Sequence, residues 1–304
     1  MPIVRALVLG PQRRPTLAAV ARTLDLAGPI ATVTAGWQDR EPDDTELDAL
    51  LDGRSVNLRL HARWQDVLAR DPDYATAERE YRAALREQRE LYLITLDGVL
   101  RALHEVARHG GDAVPAARAD AEHVVRLVDE RHLARVCEAR ASFDVAARTA
   151  ERDLVARHRT DVAEVVTAAS ALVVAGGHVD ELLHVLRLFA VPAPAVVIAW
   201  SAGAMALTER VLLFHDPDPH DAAPHDWSHA EFLDSGLGWI RGCVLLPHAR
   251  RRLRTEDPRR MAELAFRAAP ARCVILDDGG RLDLGPGDVL PPDARVVTGD
   301  GWIA

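Results

Sequence analysis

The chain has 304 residues, 48% of them hydrophobic and 27% charged, with a formal charge of −9. That suffices for one large α/β domain, or a domain plus a sizeable insertion, with a core that needs no metal or disulfide staples. The acidic balance excludes a general nucleic-acid binder, and three dispersed cysteines (Cys137, Cys243 and Cys273) exclude a disulfide framework or zinc knuckle.

Residues 3–9 form a short apolar run ending at Gly10 and predict a buried parallel strand. Arg5 interrupts this run, which is too short for a signal peptide. No stretch of about 18 apolar residues exists to span a membrane, so the expectation is a cytoplasmic protein. Leu17, Val20, Ala21 and Leu24 follow at helical spacing, and Ile30 to Val33 reads as a second strand. This β-α-β start predicts an α/β fold with a doubly wound, mostly parallel sheet.

The pattern then changes. Tyr92, Leu96, Val99, Leu103 and Val106 alternate steps of four and three, as do Phe143, Ala147, Ala150 and Leu154. Both read as seams on long helices, broken apart between His109 and Pro115. Residues 55–160 are accordingly expected to form a helical hairpin or bundle inserted between the α/β segments 1–54 and 161–304.

The α/β pattern resumes at Ser170. Ala171–Ala175 predicts a strand ending in Gly176-Gly177, and Val179, Leu182, Leu183, Leu186 and Phe189 mark one helix face, which Pro192 and Pro194 terminate. Ala195–Trp200 is the next strand, with Ser201 at its carboxyl end. Later strands are expected at Gly242–Leu246, Arg272–Leu276 and Arg295–Thr298.

Open α/β sheets place ligands outside the carboxyl ends of their strands. Ser201 stands at such an end among Ala199, Ala202, Gly203 and Ala204, small neighbours that a tight nucleophile elbow requires. Ser201 is the candidate nucleophile. The N–H groups of Gly177 and Ala202 are the candidate oxyanion hole, with Gly176 and His178 beside them as candidate substrate contacts. A serine nucleophile needs a base, and His248 follows the apolar run ending at Pro247. An orienting carboxylate is sought in Phe214-His215-Asp216-Pro217-Asp218-Pro219, with Asp216 first and Asp218 second. Arg250, in the cluster with Arg251, Arg252 and Arg254, could pair with a substrate carboxylate, or belong to a charged helix face.

His215, Asp216, His220, Asp221, His225, Asp226 and His229 suit a divalent metal by residue type, but Pro217, Pro219 and Pro224 favour a solvated lid over a metal site. No metal or cofactor is expected.

These residues resemble the peptidase S51 family, which includes cyanophycinases and aspartyl dipeptidases. The resemblance covers roughly residues 165–304 and rests on Trp200-Ser201-Ala202-Gly203-Ala204, Gly176-Gly177 with Leu182-Leu183, Pro247-His248, Gly236-Leu237-Gly238 and Leu276-Asp277-Asp278-Gly279. It implies a class I glutamine amidotransferase-like, flavodoxin-like fold. It also implies Ser201 as nucleophile, His248 as base, an acid at Asp216, and metal-free hydrolysis of peptide or isopeptide bonds next to an aspartyl residue. The long helical insertion is foreign to the family's compact members.

The expected partner is a small peptide or isopeptide substrate, with no nucleic acid and no membrane; a homodimer is compatible with the sequence. The competing reading is a non-catalytic interaction protein that docks through its helical insertion.

Overall fold

The computed structural model describes residues 5–13, 15–214, 230–285, 287 and 289–304. Ten strands form among them: β1 (Arg5–Leu9), β2 (Ile30–Val33), β3 (Ser55–Asn57), β4 (Ala171–Val174), β5 (Val196–Trp200), β6 (Arg210–Leu213), β7 (Glu231–Ser235), β8 (Cys243–Pro247), β9 (Arg272–Leu276) and β10 (Arg281–Leu284). The α-helices are α1 (Leu17–Thr23), α2 (Thr45–Leu50), α3 (Leu60–Arg70), α4 (Pro72–Arg108), α5 (Val114–Ala146), α6 (Asp153–Ala168), α7 (Val179–Leu188), α8 (Ala202–Leu207), α9 (Ala249–Arg252) and α10 (Pro258–Ala268).

The central sheet has six strands in the order β10-β1-β5-β4-β2-β3, and β10 alone runs antiparallel. Successive residues of each inner strand feed opposite cores. Ala6 and Val8 of β1, with Leu172 and Val174 of β4, join α3, α6, α7 and α8 on one face. Leu7, Leu9, Ala171 and Val173 join α1 and α2 on the other. Apolar residues at both phases of a strand are what a sheet covered on both faces demands. The fold is therefore α/β with a doubly wound, mostly parallel sheet. Two smaller pairs flank it, β6 antiparallel to β7 and β8 parallel to β9.

The helical region begins at a well-made base. The Asp71 side chain accepts the Tyr74 N–H at 3.0 Å, and Pro72 opens α4, where a missing N–H costs nothing. The same carboxylate holds Arg152 Nη1 at 2.7 and 2.8 Å, tying the start of the hairpin to the segment that leaves it. At 37 and 33 residues, α4 and α5 reach roughly 50 Å. Tyr92, Leu96, Leu100 and Leu103 of α4 pack against Val125 of α5, with Phe266 of α10 alongside. Beneath them, Arg267 is buried with both fork arms on Asp129 (2.9 and 3.0 Å), and the Tyr92 hydroxyl donates to the same carboxylate at 2.7 Å. The hairpin thus lies docked along the α/β body.

Three boundaries differ from the sequence expectation. Residues 55–57 are an edge strand of the main sheet, and α3 packs into its core, so the long hairpin itself spans only 72–146. The seam read from Phe143 to Leu154 crosses a break: α5 ends at Ala146, Arg148 takes φ 47°, and a 3-10 turn precedes α6. Residues 295–298 contribute isolated bridges rather than a named strand. No helix among the described residues is long and apolar enough to cross a membrane.

Candidate functional site

Three adjacent parallel strands, β5, β4 and β2, end at the same edge of the sheet, and their following loops interlock. Ser201 closes β5 with φ 49° and ψ −123°, a conformation that costs a non-glycine residue of order 1–3 kcal/mol. The surrounding packing holds it there. A Cβ on Gly203 would lie 2.4 Å from the Val174 carbonyl oxygen, so α8 can start this close to β4 only without a side chain at that position. A Cβ on Gly176 would lie 2.9 Å from the Ser201 Cβ. Small residues around the serine are thus a packing requirement.

His248 follows β8 at φ 58° and ψ 22°, again left-handed. Its Nε2 lies 3.4 Å from Ser201 Oγ. This is slightly longer than a well-formed hydrogen bond, and within the looser range common in unliganded catalytic pairs. Both side chains are half-buried and line one cavity of about 740 Å³.

Gly176, Gly177 and Ala202 line that cavity too. Gly177 takes φ +124°, and a Cβ there would sit 2.2 Å from the Gly36 carbonyl oxygen. That oxygen accepts the His178 N–H at 2.7 Å, which pins the loop after β4 to the loop after β2. No acceptor among the described residues takes the N–H of Gly177 or of Ala202.

His178 itself does not line the nucleophile's cavity; it precedes α7 without a side-chain capping bond and lines a second cavity. Arg250 is exposed, and its N–H goes to Asp277 Oδ1 at 2.9 Å. The neighbouring Arg252 lines the cavity instead. Asp216 and Asp218, with the whole His/Asp-rich stretch 215–229, lie outside the described residues.

Sequence reasoning missed the loop after β2. Gly36 and Trp37 line the cavity, and Gln38 is held at φ 58°, ψ −129° while its Nε2 donates to Glu181 Oε1 at 2.8 Å. A signal was available: Ala35-Gly36 follows an apolar strand as Gly176-Gly177 does. Gln12, after β1, completes the row of strand-end residues, with its Oε1 accepting the Thr16 N–H at 2.8 Å.

No protein-family model matches this chain, and no curated protein matches it. Among solved structures, the crystal structure of a peptidase from an acI-B1 Actinobacterium is similar at 13% identity and a TM-score of 0.47, covering 98% of this chain and 91% of that one.

Proposed function

We propose that the protein is a serine-nucleophile hydrolase of the peptidase S51 type, cleaving a peptide or isopeptide amide bond next to an aspartyl residue. The observation that carries the reading is the strained Ser201 at a strand end, with its Oγ 3.4 Å from the His248 imidazole. Strain of this kind persists only where surrounding structure enforces it, and it gathers at functional positions.

In this reading His248 Nε2 takes the Ser201 proton as Oγ attacks the amide carbonyl carbon. The negative charge that develops on the carbonyl oxygen is met by the Gly177 and Ala202 N–H groups, both unclaimed within the described residues. His248 then protonates the leaving amine. Water, deprotonated by the same imidazole, clears the acyl-enzyme and regenerates the hydroxyl. Asp216 remains the proposed orienting acid.

The test is release of free amine from a panel of aspartyl dipeptides and β-aspartyl isopeptides, with Ser201→Ala as the blank. Turnover of at least one substrate, lost by about 10⁴-fold or more in the variant, is expected. Equal release by both proteins would remove Ser201 as the nucleophile, and release by neither would leave the interaction-protein reading.

A further inference from the structure

A second cavity of about 900 Å³ opens between the helical hairpin and the α/β body. Gly177, Val179, Leu213 and Arg252 line both it and the nucleophile's cavity, so the two are adjacent. Its charge sets it apart. In a chain of net charge −9, its described lining holds seven arginines against three aspartates. The chain contains no lysine, so the excess of positive charge, rather than arginine as a type, is the informative feature.

Part of that charge is spent on the fold. Arg89 grips the buried Glu231 (2.5 and 2.9 Å), and Arg140 and Arg187 share Asp234. Arg82 is likewise paired, with its Nε on Glu78 Oε1 at 2.9 Å, but Arg86 and Arg159 have no ion pair among the described residues. Arg86, exposed on α4, has no partner among the described residues. Arg159 uses only Nε, on the Leu188 carbonyl oxygen at 2.8 Å. Arg82 Nη2 and Arg140 Nε are buried without an acceptor, although each guanidinium is otherwise engaged. Buried N–H groups left without partners are costly, and an anionic ligand would satisfy them. One wall is apolar and flat, where Tyr81 stacks on Phe143 at 4.6 Å between ring centres.

We infer that this cleft is a subsite for an acidic peptide segment, remote from the bond that is cut, whose carboxylates lie beneath the helical hairpin while its other end reaches Ser201. The inference rests on the hydrolase reading for the position of the scissile bond. A peptide is favoured over a small free anion on three grounds. The cleft has the volume of a multi-residue ligand rather than one ion. The spare donors sit on separate elements, Arg82 and Arg86 on α4, Arg140 on α5 and Arg159 on α6. The cleft also abuts the nucleophile's cavity. The hairpin thereby acquires a role: it carries the charge that selects extended acidic substrates.

Binding can be measured without turnover. N-acetyl-tetraglutamate and N-acetyl-tetraglutamine are titrated calorimetrically into full-length Ser201→Ala protein. The acidic peptide should bind about tenfold or more tightly than its neutral isostere, and lose that advantage as salt rises. Adding Arg86→Gln should weaken it about threefold and Arg86→Glu about tenfold. Arg86 is exposed, and an unchanged Tm checks that these variants fold. Arg22→Glu on α1, the other side of the sheet, controls for net charge and should bind as the parent does. Equal affinity for the two peptides, indifference to Arg86, or competition by inorganic phosphate at equal concentration would overturn the subsite. Serine-reactive phosphonate labelling of the wild-type protein reports on the nucleophile separately. A failed label with selective peptide binding sinks the hydrolase reading alone, and a good label with unselective binding sinks the subsite alone.

Discussion

Substituting Gly177→Ala perturbs the point where the loops after β4 and β2 lock together. The added Cβ would stand 2.2 Å from the Gly36 carbonyl oxygen, where ordinary contact needs over 3 Å, so one loop must retreat by roughly 1 Å. The residue must also keep φ near +124°, a conformation essentially reserved for glycine and costing of order 1–3 kcal/mol for a side-chain-bearing residue. Retreat of Gly36 stretches the 2.7 Å bond from the His178 N–H, worth about 1 kcal/mol. Together these predict destabilisation of about 2–4 kcal/mol, or roughly 4–8 °C in Tm for a chain of this size. The proposed oxyanion donor moves with the loop, so turnover should fall by about 10²–10³-fold even in the fraction that remains folded. Thermal unfolding followed by circular dichroism, with kcat measured at a temperature where the variant is folded, reads both effects. Gly110→Ala is the matched control: nothing lies within 4 Å of its Cβ and it carries no positive φ. A Gly177→Ala protein with wild-type Tm and kcat would refute the interlock.

Three further outcomes are expected. Arg267→Leu strands the Asp129 carboxylate in the interior and should cost about 3–5 kcal/mol in urea unfolding, whereas Arg267→Leu with Asp129→Leu should recover much of the loss. The Glu78 carboxyl is 2% exposed; burial alone would raise its pKa, but His184, Trp64 and Arg82 together hold it down at about 2. Depressed below an unfolded value of about 4.3, it should contribute about 3 kcal/mol of stability above roughly pH 5, lost as pH falls toward 2, and Glu78→Gln should flatten that slope. Burial pushes the Cys273 thiol up to about 12, and Cys243 is likewise buried while Cys137 is exposed; a thiol reagent should therefore titrate one cysteine in the native protein and three in denaturant.

Much of the fold was legible because its inner strands are short, largely apolar and ended by glycine or small residues. Residues 30–33, 171–174 and 196–200 announce themselves, since a sheet covered on both faces favours hydrophobic side chains at both phases of its strands. The strand-end positions of Ser201, Gly177 and His248 were legible for a related reason: they sit where such runs stop. Ser55–Asn57 was hidden because an edge strand of three residues, exposed at Val56, has no apolar run to show. The break after Ala146 was hidden because Ala147 and Val155 continue the hydrophobic spacing across a left-handed residue, and spacing does not encode φ. That Arg252 rather than Arg250 lines the cavity was equally out of reach, because it depends on the two residues falling on different sides of one short turn of helix. The charged cleft under the hairpin draws on α4, α5, α6 and α7, and no local pattern brings those arginines together.

The most direct test is the rate and site of reaction with a diphenyl phosphonate, read by intact-mass and peptide mass spectrometry in wild-type and His248→Ala protein. The account predicts a single adduct on the peptide containing Ser201, formed at least about 10³-fold more slowly once the imidazole is gone. An adduct that forms equally fast without His248, or none on Ser201 at all, would contradict it.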